Sequence, residues 1–516
     1  VELLRGASGL LQGTGNPSGT INLVRKRPGR DLSANATLSA GSWNNFRAEG
    51  DVSIPLTSGG DLRARAVGVV EDRDYHYDVG HRNKVLGYGT LEWNVTPRTV
   101  LAATIKWQDV RDDGTYMGVP RYSDGGALDL PRSRYTGADW SERNWSNTQL
   151  FAELRHDFGS DWEARLAVSR IDGDSDMTYA SAYGAVDHAT GLGPILYGGS
   201  YDFDNRETDL DGYVSGGFDL FGQRHQILIG GNYWDGHTQQ VSYSLPGMFG
   251  PVNLFTDRPV TTPKPDTRTW AGEQTTDTKQ YGGYAVLRLK LADPLTLIGG
   301  GRLSWWETET VRRASIGGPL TPTGRYQVDS EFTPYGGMVW KVGGPFSLYA
   351  SYSSIFTPQS SLTHDGEVIK PMTGDNIEAG LKGSWFRDKL NASIALFRIR
   401  QNNRAQLDPD YPCAPGSTCA YIADGEVESK GIDAEIQGEL AKGWSLQAGY
   451  TYTDTEYLRD RTAAGDPSGN QGQKFSTITP AHMVKLWTHY QVPALDGRFG
   501  VGAGVNWQSS FYVTSN

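Results

Sequence analysis

The feature that most limits what this chain can fold into is a period-2 alternation that recurs along nearly its whole length. From Trp444 to Thr453, the residues Trp444, Leu446, Ala448, Tyr450 and Tyr452 share one side of an extended chain, and Ser445, Gln447, Gly449, Thr451 and Thr453 share the other. From Arg498 to Gln508, Phe499, Val501, Ala503, Val505 and Trp507 oppose Arg498, Gly500, Gly502, Gly504, Asn506 and Gln508. Leu295, Leu297, Leu303 and Trp305 repeat the pattern. Such alternation predicts strands with one apolar and one polar face. A water-soluble sandwich would share it, so the connections have to decide.

The pattern predicts nineteen strands, the first at 32–42 and the last at 498–510, and their connections fall into two classes. Every second one is a tight turn, such as Thr96-Pro97-Arg98, Gly159-Ser160, Phe221-Gly222-Gln223 or Ala292-Asp293-Pro294. The intervening ones are mostly long, such as Asp112–Trp145, Asp174–Asn205, Val241–Thr276, Asn402–Glu426 and Thr455–Pro480. Short turns at one rim and long loops at the other mark an outer-membrane antiparallel β-barrel. Trp93, Trp107, Trp340, Trp444, Trp487 and Trp507 stand near strand ends, as interfacial aromatic girdles require. A single-chain bacterial barrel normally closes with an even number of strands, so further C-terminal strands are expected beyond residue 516. The first residues, Val1 to Arg5, start inside an apolar strand-like run without signal-peptide character, so a preceding segment is expected too.

Other classes are disfavoured. The balance of 48 Lys+Arg against 59 Asp+Glu gives a net charge of −11, which argues against a nucleic-acid partner. No stretch approaches the ~18 consecutive apolar residues of a membrane helix. No G-x-S-x-G, HExxH or Cys/His cluster of metal spacing occurs, so an enzyme is not expected. Asp172, Asp174 and Asp176 resemble half a calcium loop, but the Gly and distal Glu are wrongly placed; an acidic loop base is the plainer reading.

The first residues carry the most specific signal. Val1–Pro28 reads VELLRGASGLLQGTGNPSGTINLVRKRP. Gly13-Thr14-Gly15 lacks the Gly-Lys-Ser/Thr ending of a phosphate-binding loop. A compact, turn-rich unit beside or within a wide barrel fits better, since a lumen of this size is either open or plugged. The segment resembles the closing part of the plug domain of TonB-dependent outer-membrane siderophore receptors, which carry a matching G-L-L-x-G-x-G-N-P-S-G-T-I-N-L-V-x-K-R-P pattern. The likeness extends to Tyr349–Gln359, Asn376–Gly383, Ser429–Glu435 and Gly443–Tyr452.

That resemblance implies a 22-stranded barrel, about nineteen strands of it here, with residues 1–30 as the C-terminal part of the plug and 31–516 as the barrel. It implies a monomer in the outer membrane of a Gram-negative bacterium, among lipid and lipopolysaccharide, that binds a ferric siderophore from outside. Import would use proton-motive force through TonB with ExbB and ExbD, engaged by a TonB box upstream of this chain. Iron(III) would be held by the siderophore, so no protein-bound cofactor or metal ligand is expected. A hydroxamate or mixed-type chelate is favoured. The alternatives are an importer of cobalamin, haem or oligosaccharide on the same fold, and a passive porin, against which the plug segment speaks.

Siderophore contacts are expected from Tyr116, Trp140, Trp145 and Trp234, stacking groups near the loop bases, with Gln12 beneath them. Many relatives have Tyr where Gln12 stands; Gln12 can hydrogen-bond but cannot stack. Cys413 and Cys419, in a loop exposed to an oxidising compartment, are expected to form a disulfide. If Ile377, Ala379, Ile432 and Ala434 face lipid, Glu378 and Glu435 face the lumen. With the help of the family's pattern of plug arginines meeting barrel glutamates, Arg27 is expected to pair with both.

Overall fold

The computed structural model describes residues 2–115, 117–245, 250–256, 260, 263–411, 413, 419–462, 465–492 and 498–512. Two short strands, β1 (Glu2–Arg5) and β2 (Gly19–Asn22), pair antiparallel and flank one helical turn, α1 (Gly9–Gln12). The barrel strands follow. The first group is β3 (Ser33–Gly41), β4 (Asn45–Pro55), β5 (Leu62–Asp74), β6 (His81–Thr96), β7 (Thr99–Asp113), β8 (Glu142–Gly159) and β9 (Trp162–Tyr183). Next come β10 (Ile195–Leu220), β11 (Gln223–Ser244), β12 (Thr269–Ala292), β13 (Leu295–Arg313), β14 (Thr321–Gly343) and β15 (Phe346–Thr357). The last are β16 (Met372–Trp385), β17 (Leu390–Leu407), β18 (Tyr421–Ala441), β19 (Trp444–Arg459), β20 (His482–Gln491) and β21 (Gly500–Gln508).

From β3 to β21 each strand pairs antiparallel with its neighbours in sequence, and the single sheet curls into a barrel of nineteen strands. No helix of the described residues is long and apolar enough to cross a membrane. The turn between β10 and β11 shows how the tight rim is made: Phe221 and Gly222 have φ of 51° and 73°. Two successive positive φ values match the right-handed twist of the strands they join.

The wall is inverted relative to a water-soluble protein. Leu396, Ile229 and Trp507 are more than half exposed, whereas Arg302 is 0% exposed and Arg63, Glu92 and Glu153 are buried. Exposed apolar side chains around a polar interior are the arrangement that a lipid surround stabilises. A hollow of about 710 Å³ lined by Val52, Ile54, Leu91, Ile105 and Leu150 belongs to that outer belt.

Several strands run further than their apolar alternation. The alternation predicts an end near residue 172 for β9 and a start near 206 for β10, yet the ladder continues to Tyr183 and from Ile195. Beyond the membrane boundary both faces meet water, so hydropathy stops reporting a strand whose backbone pairing persists. Asp172, Asp174 and Asp176 are therefore strand residues of β9, opposite Arg206, Asp204 and Asp202, and not a loop base. Above them the long connections pack together. Ala138, Ala180, Val186, Leu196, Val252, Leu254 and Val260 form a buried apolar core, and the bridges Ala138 to Val260 and Tyr122 to Val186 tie its loops to one another. Cys413 and Cys419 are joined by a disulfide, as expected.

Candidate functional site

The N-terminal segment, the one expected to be plug, meets the wall through its glycine-rich loop. Gly13 follows α1 at φ +79°, and a Cβ there would lie 2.7 Å from Gln280 Nε2 and 3.1 Å from Arg302 Nε. Both the left-handed backbone and the missing side chain are thus required for the loop to touch β12 and β13. Thr14 Oγ1 donates to Gln280 Oε1 at 2.6 Å, and Gln280 Nε2 donates to the carbonyl of Gln12. Gly15 N–H donates to Phe356 O at 3.0 Å, and Thr357 Oγ1 donates to Gly15 O at 2.7 Å. Beneath this contact the buried Arg302 donates from Nε to Ser304 Oγ at 2.7 Å and from Nη2 to Asn232 Oδ1 at 2.6 Å.

Beside the loop lies a cavity of about 600 Å³ between plug and wall. Gln12 and Thr14 line it from the plug; Asn232, Trp234, Gln280 and Trp306 line it from β11, β12 and β13. Each is on the lumen face because even-numbered residues of these strands alternate with lipid-facing ones such as Ile229, Tyr281 and Leu303. Gln12 Oε1 already accepts from Ser8 Oγ and Thr20 Oγ1, both at 3.0 Å, so its amide N–H groups are what it offers the cavity. Arg25 and Asp209 line it further down. Among the described residues no carboxylate lies within ion-pairing distance of Arg25, whose guanidinium sits 3.7 Å from the Phe151 ring centroid. Burial lowers the Arg25 pKa below its ordinary value. Two aromatic surfaces, several amide donors and ionised groups of both signs suit a bulky, polar, hydrogen-bonding ligand.

Where the plug leads into β3, it rests on charge. Lys26 Nζ lies 2.8 Å from Asp51, and Arg65 grips the same carboxylate through Nε and Nη2 at 2.8 and 2.7 Å. Arg27 donates to Glu92 at 2.9 Å and to Glu153 at 2.6 Å. Arg63 shares Glu92, and Arg155 and Arg165 share Glu153. Burial pulls the Arg27 pKa down, but the bonds to Glu153 and Glu92 outweigh it and leave the pKa above its ordinary value. Two arginines flanking Lys26 are thus held in opposite ways, Arg27 by carboxylates and Arg25 by a ring face.

The expected residues distribute unevenly. Gln12 and Trp234 line the cavity. Trp145 shares the lumen face of β8 with Phe151 and Glu153 but stands nearer the loops and outside the cavity lining. Trp140 packs against the apolar core of the loops. Tyr116 lies outside the described residues. The expected pairing of Arg27 with Glu378 and Glu435 is corrected: its partners are Glu92 on β6 and Glu153 on β8. Glu378 does face the lumen, where it accepts from Tyr349 Oη, and Glu435 shares the side of β18 opposite Ala434. The reason is tether length. Arg27 stands six residues before Ser33, a reach of at most ~20 Å, which confines it to the wall built by the first barrel strands. Gln280, Asn232 and Trp306 were missed, although their period-2 position on the polar face was readable.

A family model described as "TonB dependent receptor-like, beta-barrel" matches residues 87–516, and the chain belongs to that family. Among curated proteins it is 37% identical over 524 residues to the ferric-pyoverdine M114 receptor PbuA of Pseudomonas sp. (strain M114), covering 100% of this chain and 62% of that protein. It is 33% identical over 521 residues to the ferripyoverdine receptor of Pseudomonas aeruginosa, covering 98% of this chain and 60% of that protein. The crystal structure of the ferripyoverdine receptor of the outer membrane of Pseudomonas aeruginosa bound to ferripyoverdine superposes with a TM-score of 0.88 at 31% identity, covering 98% and 65%. The chain spans about three fifths of the length of the curated relatives it matches.

Proposed function

We propose that this chain forms the barrel and the C-terminal part of the plug of an outer-membrane receptor that binds a ferric siderophore from outside and imports it through TonB. Residues 1–30 are the plug part and 31–516 the barrel. The observation that carries the reading is the cavity shared by plug and wall, because a plug loop bonded to the lumen has no place in a passive pore. Its lining of Trp234, Trp306, Gln12, Asn232 and Gln280 suits a large chelate rich in hydrogen-bond acceptors. Similarity to ferric-pyoverdine receptors favours a ferric pyoverdine over the hydroxamate or mixed-type chelates in general. Iron enters as cargo within its chelator. TonB acts with ExbB and ExbD on the periplasmic side, and the receptor works as a monomer.

The test is growth under iron limitation of a strain lacking its own receptors and supplied with the full-length protein. A panel of purified ferric pyoverdines, ferrioxamine, haem and cobalamin separates the candidates. Growth on at least one pyoverdine, lost when TonB is deleted, is the expected result. Growth with haem alone, or ion conductance of a permanently open channel, would overturn it.

A further inference from the structure

Gln280 is a barrel residue that both grips the plug and lines the cavity. Its side chain is buried, with 7% exposed. The carbonyl of Gln12 can only accept, so the end of the Gln280 amide that meets it is the nitrogen, and the oxygen is left to accept from Thr14 Oγ1. The two bonds hold opposite flanks of Gly13, the residue whose missing Cβ lets the loop approach. Phe356 and Thr357 hold Gly15 from the other side.

The same amide faces the cavity beside Asn232, Trp234 and Thr278. Asn232 is built alike, since it lines the cavity and its Oδ1 accepts from the fully buried Arg302, packed under Gly13. Arg302 Nη1 has no hydrogen-bond partner, so this guanidinium depends on Asn232 and Ser304 to stay in place. A ligand in the cavity therefore meets one amide that bonds the plug loop and a second that holds the arginine packed beneath it.

We propose that Gln280 is the positioning residue through which occupancy of the cavity reaches the plug. Acceptor atoms of a bound chelate draw its amide N–H away from Gln12 O, and Thr14 loses its acceptor in the same movement. The loop then keeps its hydrogen bonds to the wall at Gly15. This rests on the siderophore reading for the identity of the ligand; the clamp itself does not. A ligand shifts such an equilibrium only by binding the released state better than the clamped one, which bonding to Gln280 supplies.

The experiment is hydrogen exchange of the peptide covering residues 9–15 in the full-length receptor, wild type against Gln280→Met, with and without a saturating ferric pyoverdine whose binding is titrated separately. Without ligand, Gln280→Met should exchange about tenfold faster over this peptide, the order expected for losing two hydrogen bonds, with residues 19–22 unchanged. Wild type should approach that rate on binding, and the variant should show no further rise. Thr14→Val, which removes one bond from the plug side, should fall between them and serves if Gln280→Met does not fold. Equal ligand-free rates in wild type and either variant would overturn the clamp. An equal ligand-induced rise in wild type and variant, or no rise in a wild type that demonstrably binds, would overturn the relay. Failure of wild type to bind any pyoverdine would strike the siderophore reading, and the relay with it, while the ligand-free comparison still decides the clamp.

Discussion

Two enclosed regions of this molecule are closed by opposite physics. Where the plug enters the barrel, Lys26 and Arg27 meet Asp51, Glu92 and Glu153, and each of those carboxylates is shared with wall arginines. Where the outer loops converge, Leu254, Val186 and Val260 pack into an apolar core with Ala138 and Leu196. The loop core is dry and directional only through shape. Wetting it exposes apolar area at roughly 25 cal/mol per Å². The ionic seat is different: Lys26 and Arg27 are nearly half exposed and within reach of water, while the carboxylates they meet are buried. The segment leading into β3 is thus seated on ion pairs whose cations water can reach, and the outer loops are closed by apolar contacts that exclude it.

The largest effect should come from emptying the loop core. Leu254 is 1% exposed, so Leu254→Ala should cost about 2–5 kcal/mol locally. Hydrogen exchange should rise across the loops 114–141, 184–194 and 245–268, while the thermal transition of the barrel stays in place. A lowered barrel transition would break the comparison, because it would make the loops part of the barrel's own cooperative unit.

At the seat, Arg27→Ala should cost about 1–3 kcal/mol, because Glu92 and Glu153 lose a donor in a buried position. Arg63, Arg155 and Arg165 still serve those carboxylates, which keeps the cost below that of the loop core. The double variant Arg27→Ala with Glu153→Gln should lose less than the sum of the single changes, since the second removes the charge that the first strands. Urea-dependent exchange of residues 19–28 measures it. Raising salt to 1 M, where the screening length falls to about 3 Å, should loosen the seat and leave the loop core intact. Strict additivity, or equal salt sensitivity in both regions, would remove the contrast.

The two regions were not equally legible in the sequence. The barrel was readable because lipid on one side and lumen on the other impose a period that survives strand by strand, and the same alternation placed Glu378 and Glu435 inward. Choosing among inward carboxylates needed the path of the chain, which alternation does not encode; Glu92 and Glu153 stand between Leu91 and Trp93 and between Ala152 and Leu154 in the same manner. The loop core was not readable at all. Ala138, Val186 and Val252 lie on three separate loops in stretches without a period, and only the curled sheet brings them together. Trp140 shows the consequence: an aromatic near a loop base looks the same whether it meets a ligand or, as here, packs on that core. At the plug loop, the glycines pointed to close approach, but that Gln280 is what Gly13 approaches is a fact of tertiary structure.

The smallest expected effect is a response to alkali that the seat has and the outer loops lack. In the loops, Asp124 is held below its ordinary value by the backbone N–H of Gly126 and by His188, and Asp187 by the hydroxyl and N–H of Thr190. A carboxyl whose pKa is lowered on folding contributes stability above its unfolded value of about 3.9 and loses it as pH falls through the folded value. At the seat, the hydrogen bond to Asp51 raises the pKa of Lys26. That contribution is complete below the unfolded value of about 10.4 and is lost as pH rises through the folded one. Acid should therefore loosen residues 121–126 and 184–192 along with the seat, whose carboxylates also lose their charge, and alkali should loosen residues 24–28 first. Exchange rates corrected for their intrinsic pH dependence, taken near pH 3.5, 7 and 10.5, give the test. Asp187→Asn should remove its share of the acid response and leave the alkaline one untouched. A seat that loosens only in acid would mean that it is held by its carboxylates alone, with Lys26 a bystander.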